Sequence, residues 1–175
     1  MIKEATLASG CFWCTETLFS RMQGVISSMP GYSGGSVKNP AYREVCNGTT
    51  GHAECVHLKF DDDIISFQTL IEVFFDMHDP TTLNRQGADV GTQYRSAIFY
   101  HDEEQHQIAM QVMSSVSKKF ENSIVTELSP FTEFYIAEVE HHDYYNQNQS
   151  QPYCNLVISP KVKKLMTSYT ALLKE

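Results

Sequence analysis

Residues 9–19 read SGCFWCTETLF, so Cys11 and Cys14 bracket a Phe12–Trp13 pair. Thiols three residues apart suit three chemistries: a disulfide switch, half of a metal site, or a nucleophile beside an apolar wall. At the start of a helix, Cys11 would meet unpaired N–H groups and the positive end of the dipole, both of which favour thiolate. The plain alternative is a buried structural cysteine. The metal reading lacks its other half, because no second Cys-x-x-Cys follows. His52, Cys55 and His57 sit on a strand pattern whose side chains alternate, and His141-His142-Asp143 reads as an exposed or hydrogen-bonded loop. A thiol–disulfide exchange enzyme would keep its thiol prominent, whereas two bulky apolar neighbours resemble a pocket wall.

Glu54 is the natural companion. Residues 53–60, AECVHLKF, alternate, with Glu54, Val56, Leu58 and Phe60 on one face and Ala53, Cys55, His57 and Lys59 on the other. A carboxyl on the apolar face has its charged form disfavoured and can keep a proton near neutrality, as a general acid must. A solvated strand end would leave it ordinary. Tyr32, Tyr42 and Tyr94 fall in turn-rich stretches, where surface tyrosine is the usual reading unless a pocket gathers them.

These residues need a scaffold. The pattern predicts a strand over 3–8, a helix over 11–21, a strand from GVISSM into a glycine turn, and a short helix in NPAYREVCNG. It continues with a strand over 53–60 and a helix after Ser66 with Phe67, Leu70, Ile71, Phe74 and Phe75 at core spacing. Then come strand SAIFY, an amphipathic helix over 102–120, strands in SIVTEL and FYIAEVE, and a last helix capped at Ser159 with Pro160 behind it. Helices and strands mix without strict alternation, which predicts an α+β sandwich.

At 175 residues the chain reads as a single catalytic domain, 1–175, with a tail from about 141 to 175. The net charge of −8 gives no electrostatic case for nucleic acid or anionic membrane. No apolar window has the roughly 20 residues a membrane span needs, and the first residues lack a signal-peptide pattern. Five cysteines, an odd count, without such a leader suggest a reducing, cytoplasmic setting. A monomer is expected.

Four motifs, GCFWCTE (10–16), GYSGG (31–35), NPAYREVCNGTTGHAE (39–54) and DVGTQYRSAI (89–98), resemble in order and spacing the A-type peptide-methionine sulfoxide reductases. The similarity runs from near residue 5 to about 154. It implies a two-layer α+β sandwich, a ferredoxin-like plait with long excursions. It also implies reduction of methionine-(S)-sulfoxide, free or in proteins, as repair of oxidative damage. Cys11 matches the family's nucleophile, Glu54 its acid, and Tyr42 and Tyr94 the tyrosines that hold the sulfoxide oxygen. Phe12 and Trp13 match the wall for the S-methyl group, and Asp89 an acidic residue that anchors substrate. The implied product on Cys11 is a sulfenic acid, then a disulfide that thioredoxin reduces, with no metal and no bound cofactor. Many members carry glycine at the position of Cys14, and many place a recycling cysteine where Cys154 stands. Cys154, which follows a polar, flexible-looking run that could carry it to Cys11, is the favoured partner over Cys14, and a relay through both stays open. Cys46 and Cys55 read as structural.

Overall fold

The computed structural model describes residues 1–175. Its strands are β1 (Ile2–Ser9), β2 (Val25–Ser33), β3 (Ala53–Asp61), β4 (Arg85–Gln86), β5 (Asp89–Val90), β6 (Ser96–Tyr100), β7 (Glu127–Pro130) and β8 (Phe134–Ile136). Its helices are α1 (Phe12–Ser20), α2 (Tyr42–Cys46), α3 (Phe67–Asp76), α4 (Glu103–Val116), α5 (Tyr144–Gln147) and α6 (Ser159–Ser168). Six strands form one sheet in the order β7-β6-β1-β3-β2-β8, and β4 and β5 form a separate ribbon. All pairs in the large sheet are antiparallel except β6 with β7. The α+β expectation holds. No helix is long and apolar enough to cross a membrane.

The alternation in β3 decides what each face of the sheet does. Val56, Leu58 and Phe60 join a large core with Leu7, Phe12, Leu18 and the α3 side chains Leu70, Ile71 and Phe74. Ala53 and Cys55 point the other way, into a small second cluster with Ala8, Ala97 and Phe99. Fully burying a Phe or Leu side chain contributes roughly 1.5–3 kcal/mol, so this apolar register fixes Glu54 on the core side of β3. The helix starts follow their caps: Ser66 Oγ accepts the Thr69 N–H at 3.1 Å, and Asp102 Oδ1 accepts the Gln105 N–H at 2.8 Å.

Four boundaries differ from the sequence expectation. α4 ends at Val116 and tightens into a 3₁₀ turn, and the strand expected in SIVTEL begins only at Glu127. The strand in FYIAEVE stops at Ile136 and passes into a 3₁₀ turn, Val139–His141. Ser159 caps nothing. A π-helical turn, Cys154–Ile158, already precedes it, and its hydroxyl pairs with Tyr145 Oη at 2.7 Å. Pro160 has no N–H to give the preceding turn and crowds the carbonyl four residues back, so the wider turn relieves that join.

Candidate active site

Cys11 sits where β1 hands over to α1. Gly10 makes the junction possible: its φ is +101°, and a Cβ there would lie 2.8 Å from the Gln86 side chain. Cys11 is the N-cap of α1, and its carbonyl accepts the N–H groups of Cys14 (3.1 Å) and Thr15 (3.3 Å). Burial and then the Glu54 carboxyl push its thiol well above the ordinary range, against an opposing pull from the Trp13 backbone N–H. The helix end alone therefore does not make a resting thiolate, as the sequence suggested it would. Desolvation outweighs one N–H and a partial dipole charge.

Glu54 is 1 % exposed and tied to the helix that Cys11 caps. Its Oε1 accepts the Phe12 N–H at 3.1 Å, and its Oε2 is buried without any hydrogen-bond partner. Burial raises this carboxyl to about 8, with the Phe12 bond opposing and Asp89 adding to the rise. At neutral pH it is a protonated acid with one polar oxygen unclaimed, an arrangement that is costly unless something arrives to use it.

Two short turns bring tyrosines to the same place. Tyr42 opens α2, with its ring centroid 6.3 Å from that of Phe12. Tyr94 ends the 3₁₀ turn Thr92–Tyr94, entered through Gly91 at φ +147°. The two turns are joined by Gln93, whose Nε2 donates to the Cys46 carbonyl at 3.2 Å. Burial holds both phenols above their ordinary range, and the nearby Glu54 carboxyl acts in the same direction. They are neutral O–H donors. Tyr32, by contrast, is a buried strand residue whose hydroxyl donates to Glu138 Oε1 at 3.1 Å.

Phe12 and Trp13 form a wall, and the chain after β8 completes it. Trp13 Nε1–H donates to His141 Nδ1 at 3.0 Å, and the Tyr144 ring stacks on the indole with centroids 3.7 Å apart. His141 also packs on Tyr42 at 4.4 Å and Phe12 at 5.3 Å. Because an indole N–H can only donate, His141 Nδ1 is the acceptor and the ring proton sits on Nε2. Tyr153 lies beside the Cys11 sulfur and donates its O–H to Asp89 Oδ2 at 2.5 Å. Asp89 thus faces the site from β5. Glu138, with one oxygen on Tyr32 and the other on the Tyr42 N–H at 3.1 Å, braces the rim of a cleft of about 430 Å³ shared with Tyr42 and His141.

Cys11, Phe12, Trp13, Tyr42, Glu54, Asp89 and Tyr94 are brought together. His141, Tyr144 and Tyr153 complete the site and were not legible as members, since nothing in their spacing links them to Cys11. The two adjacent histidines were the only signal, and of the two loop readings the hydrogen-bonded one holds: His141 is buried and accepts the Trp13 N–H. Cys14 and Cys154 are buried in the large core, and each of Cys11 and Cys154 lies within electrostatic reach of Cys14. Burial lifts Cys14 to about 11. Cys55 is buried on the far face, as its alternation required. Cys46 stands half-buried beside the Tyr42 hydroxyl, at the edge of the site.

A buried thiol, a buried acid with a spare oxygen, two phenolic donors and an aromatic wall form one chemical unit. Known proteins resemble the chain along most of its length. The family described as Peptide methionine sulfoxide reductase matches residues 3–172. The chain is 59% identical to Peptide methionine sulfoxide reductase MsrA of Saccharolobus solfataricus over 165 residues, covering 94% of this chain and 93% of the relative. It is 49% identical to MsrA of Thermus thermophilus, covering 97% of each. Methionine sulfoxide reductase A of Corynebacterium diphtheriae superposes with TM-score 0.80 at 36% identity, over 84% of this chain and 75% of that one. Mxr1 of Saccharomyces cerevisiae in reduced form gives 0.79 at 34%, over 84% and 86%, and Mxr1 in complex with Trx2 gives 0.57 at 26%, over 82% and 84%. With its sequence and its fold both matching along nearly the full length, the chain belongs to the peptide methionine sulfoxide reductase family.

Proposed function

We propose that this enzyme reduces methionine-(S)-sulfoxide, free or in proteins, with Cys11 as nucleophile and Glu54 as general acid. The observation that carries the reading is the unpartnered Glu54 Oε2 in a carboxyl that also holds the Phe12 N–H, next to Cys11. A sulfoxide sulfur is a poor electrophile until its oxygen is protonated. Glu54, kept protonated to about pH 8, delivers that proton, while Tyr42 and Tyr94 donate hydrogen bonds to the same oxygen. The S-methyl group rests on Phe12 and Trp13, where a polar or branched group would lose its solvation or clash.

The Cys11 sulfur forms a bond to the sulfoxide sulfur as its proton passes into the site. The oxygen then moves between the two sulfurs: its bond to the methionine sulfur breaks as a bond to the Cys11 sulfur forms, and the transient S–S bond breaks. Methionine leaves, reduced by two electrons, and Cys11, oxidised by two, holds the oxygen as a sulfenic acid. Cys154 takes this oxidised sulfur, directly or through Cys14. A thiol displaces hydroxide from the sulfenic acid, water is released, and a disulfide remains. That Cys14 lies within electrostatic reach of both other thiols supports the relay form. A thioredoxin-type dithiol then reduces the disulfide and becomes oxidised itself. The solved complex of a yeast relative with Trx2 supports that partner. No cofactor or metal enters this sequence of steps.

Cys11→Ser is expected to abolish NADPH consumption coupled through thioredoxin reductase, thioredoxin and an S-sulfoxide peptide. Glu54→Gln is expected to slow single-turnover methionine formation by roughly 10²–10³-fold with peptide binding nearly intact. Half the wild-type rate in the first variant would sink the assignment of the nucleophile, and an unchanged rate in the second would remove Glu54 as the acid.

A further inference from the structure

The core holds a second carboxyl that this chemistry does not use. Glu16, on the same helix as the nucleophile, is 5 % exposed, and burial raises it to about 7. Its Oε2 accepts the backbone N–H of Asp143 at 3.0 Å. Asp143 adopts φ 54°, ψ 34°, a left-handed conformation that a non-glycine residue keeps only where its surroundings hold it.

Around that bond a small network ties α1 to α5. Asn146 Nδ2–H donates to Asp143 Oδ1 at 2.7 Å, and Arg21 Nη2–H donates to Asn146 Oδ1 at 2.9 Å. Arg21 is anchored to the Thr17 hydroxyl at 3.3 Å and lies over the Tyr145 ring at 5.8 Å. The residues flanking Asp143 are those that finish the site. His141 and Tyr144 both grip Trp13, and the chain then runs on through Tyr153 to Cys154, which is 0 % exposed.

We propose that Glu16 is a positioning residue: by holding Asp143 it latches the strap 141–154 onto α1, so that the aromatic wall is assembled and Cys154 stays buried until the strap lifts. The two consequences belong to opposite halves of the cycle. A closed latch presents His141 and Tyr144 behind the indole when sulfoxide binds. An open latch frees Cys154 for exchange with an external dithiol, which cannot reach a sulfur without exposed surface. The second consequence rests on the reading of Cys154 as a recycling thiol. The first does not, and the burial of Cys154 can be measured without turnover. The π-helical turn at Cys154–Ile158 and the left-handed Asp143 then stand near the two ends of the moving segment.

The test compares Glu16→Leu with Glu16→Gln in the full-length, reduced protein. The leucine variant fills the volume and removes the acceptor; the glutamine variant keeps an oxygen for the Asp143 N–H. Alkylation of Cys154 is followed by mass spectrometry, with Cys55, on the opposite face of the sheet, as the internal control for general loosening. Glu16→Leu is expected to label Cys154 about tenfold faster with Cys55 unchanged, a factor matching loss of one hydrogen bond. It is also expected to raise KM for an S-sulfoxide peptide about fivefold, with the saturating single-turnover rate within about twofold. Glu16→Gln should restore both. Should Glu16→Leu fail to fold, Asn146→Leu breaks the Arg21 link at an exposed position and should also raise Cys154 labelling alone. Unchanged Cys154 labelling, labelling of Cys55 in parallel, or failure of glutamine to rescue would each overturn the latch.

Discussion

Glu54 does two jobs that pull against each other. A carboxyl in the core must stay protonated to be tolerated, and the same burial makes it an acid at neutral pH. The folded-state value, about 8, lies above the ordinary 4.5, so the folded protein holds this proton more tightly than the unfolded chain. Its contribution to stability is fully present below pH 4.5 and is lost as pH rises through 8. Glu54→Gln is therefore expected to gain stability relative to wild type by an amount that grows from pH 4.5 to 8, reaching on the order of 2–4 kcal/mol. Urea unfolding of both proteins at pH 5 and pH 8 checks this, and an equal difference at the two values would contradict it. The cost at Cys11 has the same origin. Burial keeps it a thiol at rest, so in the proposed reaction its proton moves only once the substrate is in place.

At the scale of elements, the amino end of α1 was legible because its residues are local. Gly10, Cys11 and the Phe12–Trp13 pair lie within one turn, and the alternation of β3 placed Glu54 on the core side and Cys55 on the other. The strap from 141 to 154 was not legible. Its residues have no periodicity, and its contacts with Trp13 span more than a hundred residues, set by tertiary packing alone. A polar run precedes Cys154 in the sequence, yet Cys154 itself is fully buried. Ser159 misled for a related reason: a Ser-Pro pair starts a helix only if the chain before it is not already helical. The stack on the wall can be tested by itself. Tyr144→Ala removes a stacked ring worth about 0.5–1.5 kcal/mol, so KM for a sulfoxide peptide should rise roughly threefold to tenfold. Steady-state kinetics with excess thioredoxin would show it, and an unchanged KM would mean that Trp13 holds its place without the stack.

Across the whole molecule, the site exists because the sheet order brings distant stretches to one end of its central strands. β1 and β3 are neighbours, so the ends that carry Cys11 and Glu54 meet, and β8 beside β2 leads the chain back over Trp13. The α+β class could be read from the mixture of elements, but the order β7-β6-β1-β3-β2-β8 could not, because strand pairing depends on contacts far apart in sequence. The same geometry gathers Cys11, Cys14 and Cys154 on one side of the sheet and leaves Cys55 on the other. After one equivalent of S-sulfoxide peptide without reductant, a disulfide map is expected to show Cys154 bonded to Cys11 or Cys14 and Cys55 as a free thiol. A Cys55 disulfide would contradict this arrangement.

The most direct test follows the oxygen. In a protein carrying Cys14→Ser and Cys154→Ser, no second thiol of this group can consume the sulfenic acid. One equivalent of S-sulfoxide peptide should yield one equivalent of methionine peptide, and intact-mass and fragment spectra should place one added oxygen on Cys11. Methionine formed without oxygen on Cys11, or oxygen on another residue, would contradict the assignment of Cys11 as the atom that takes the sulfoxide oxygen.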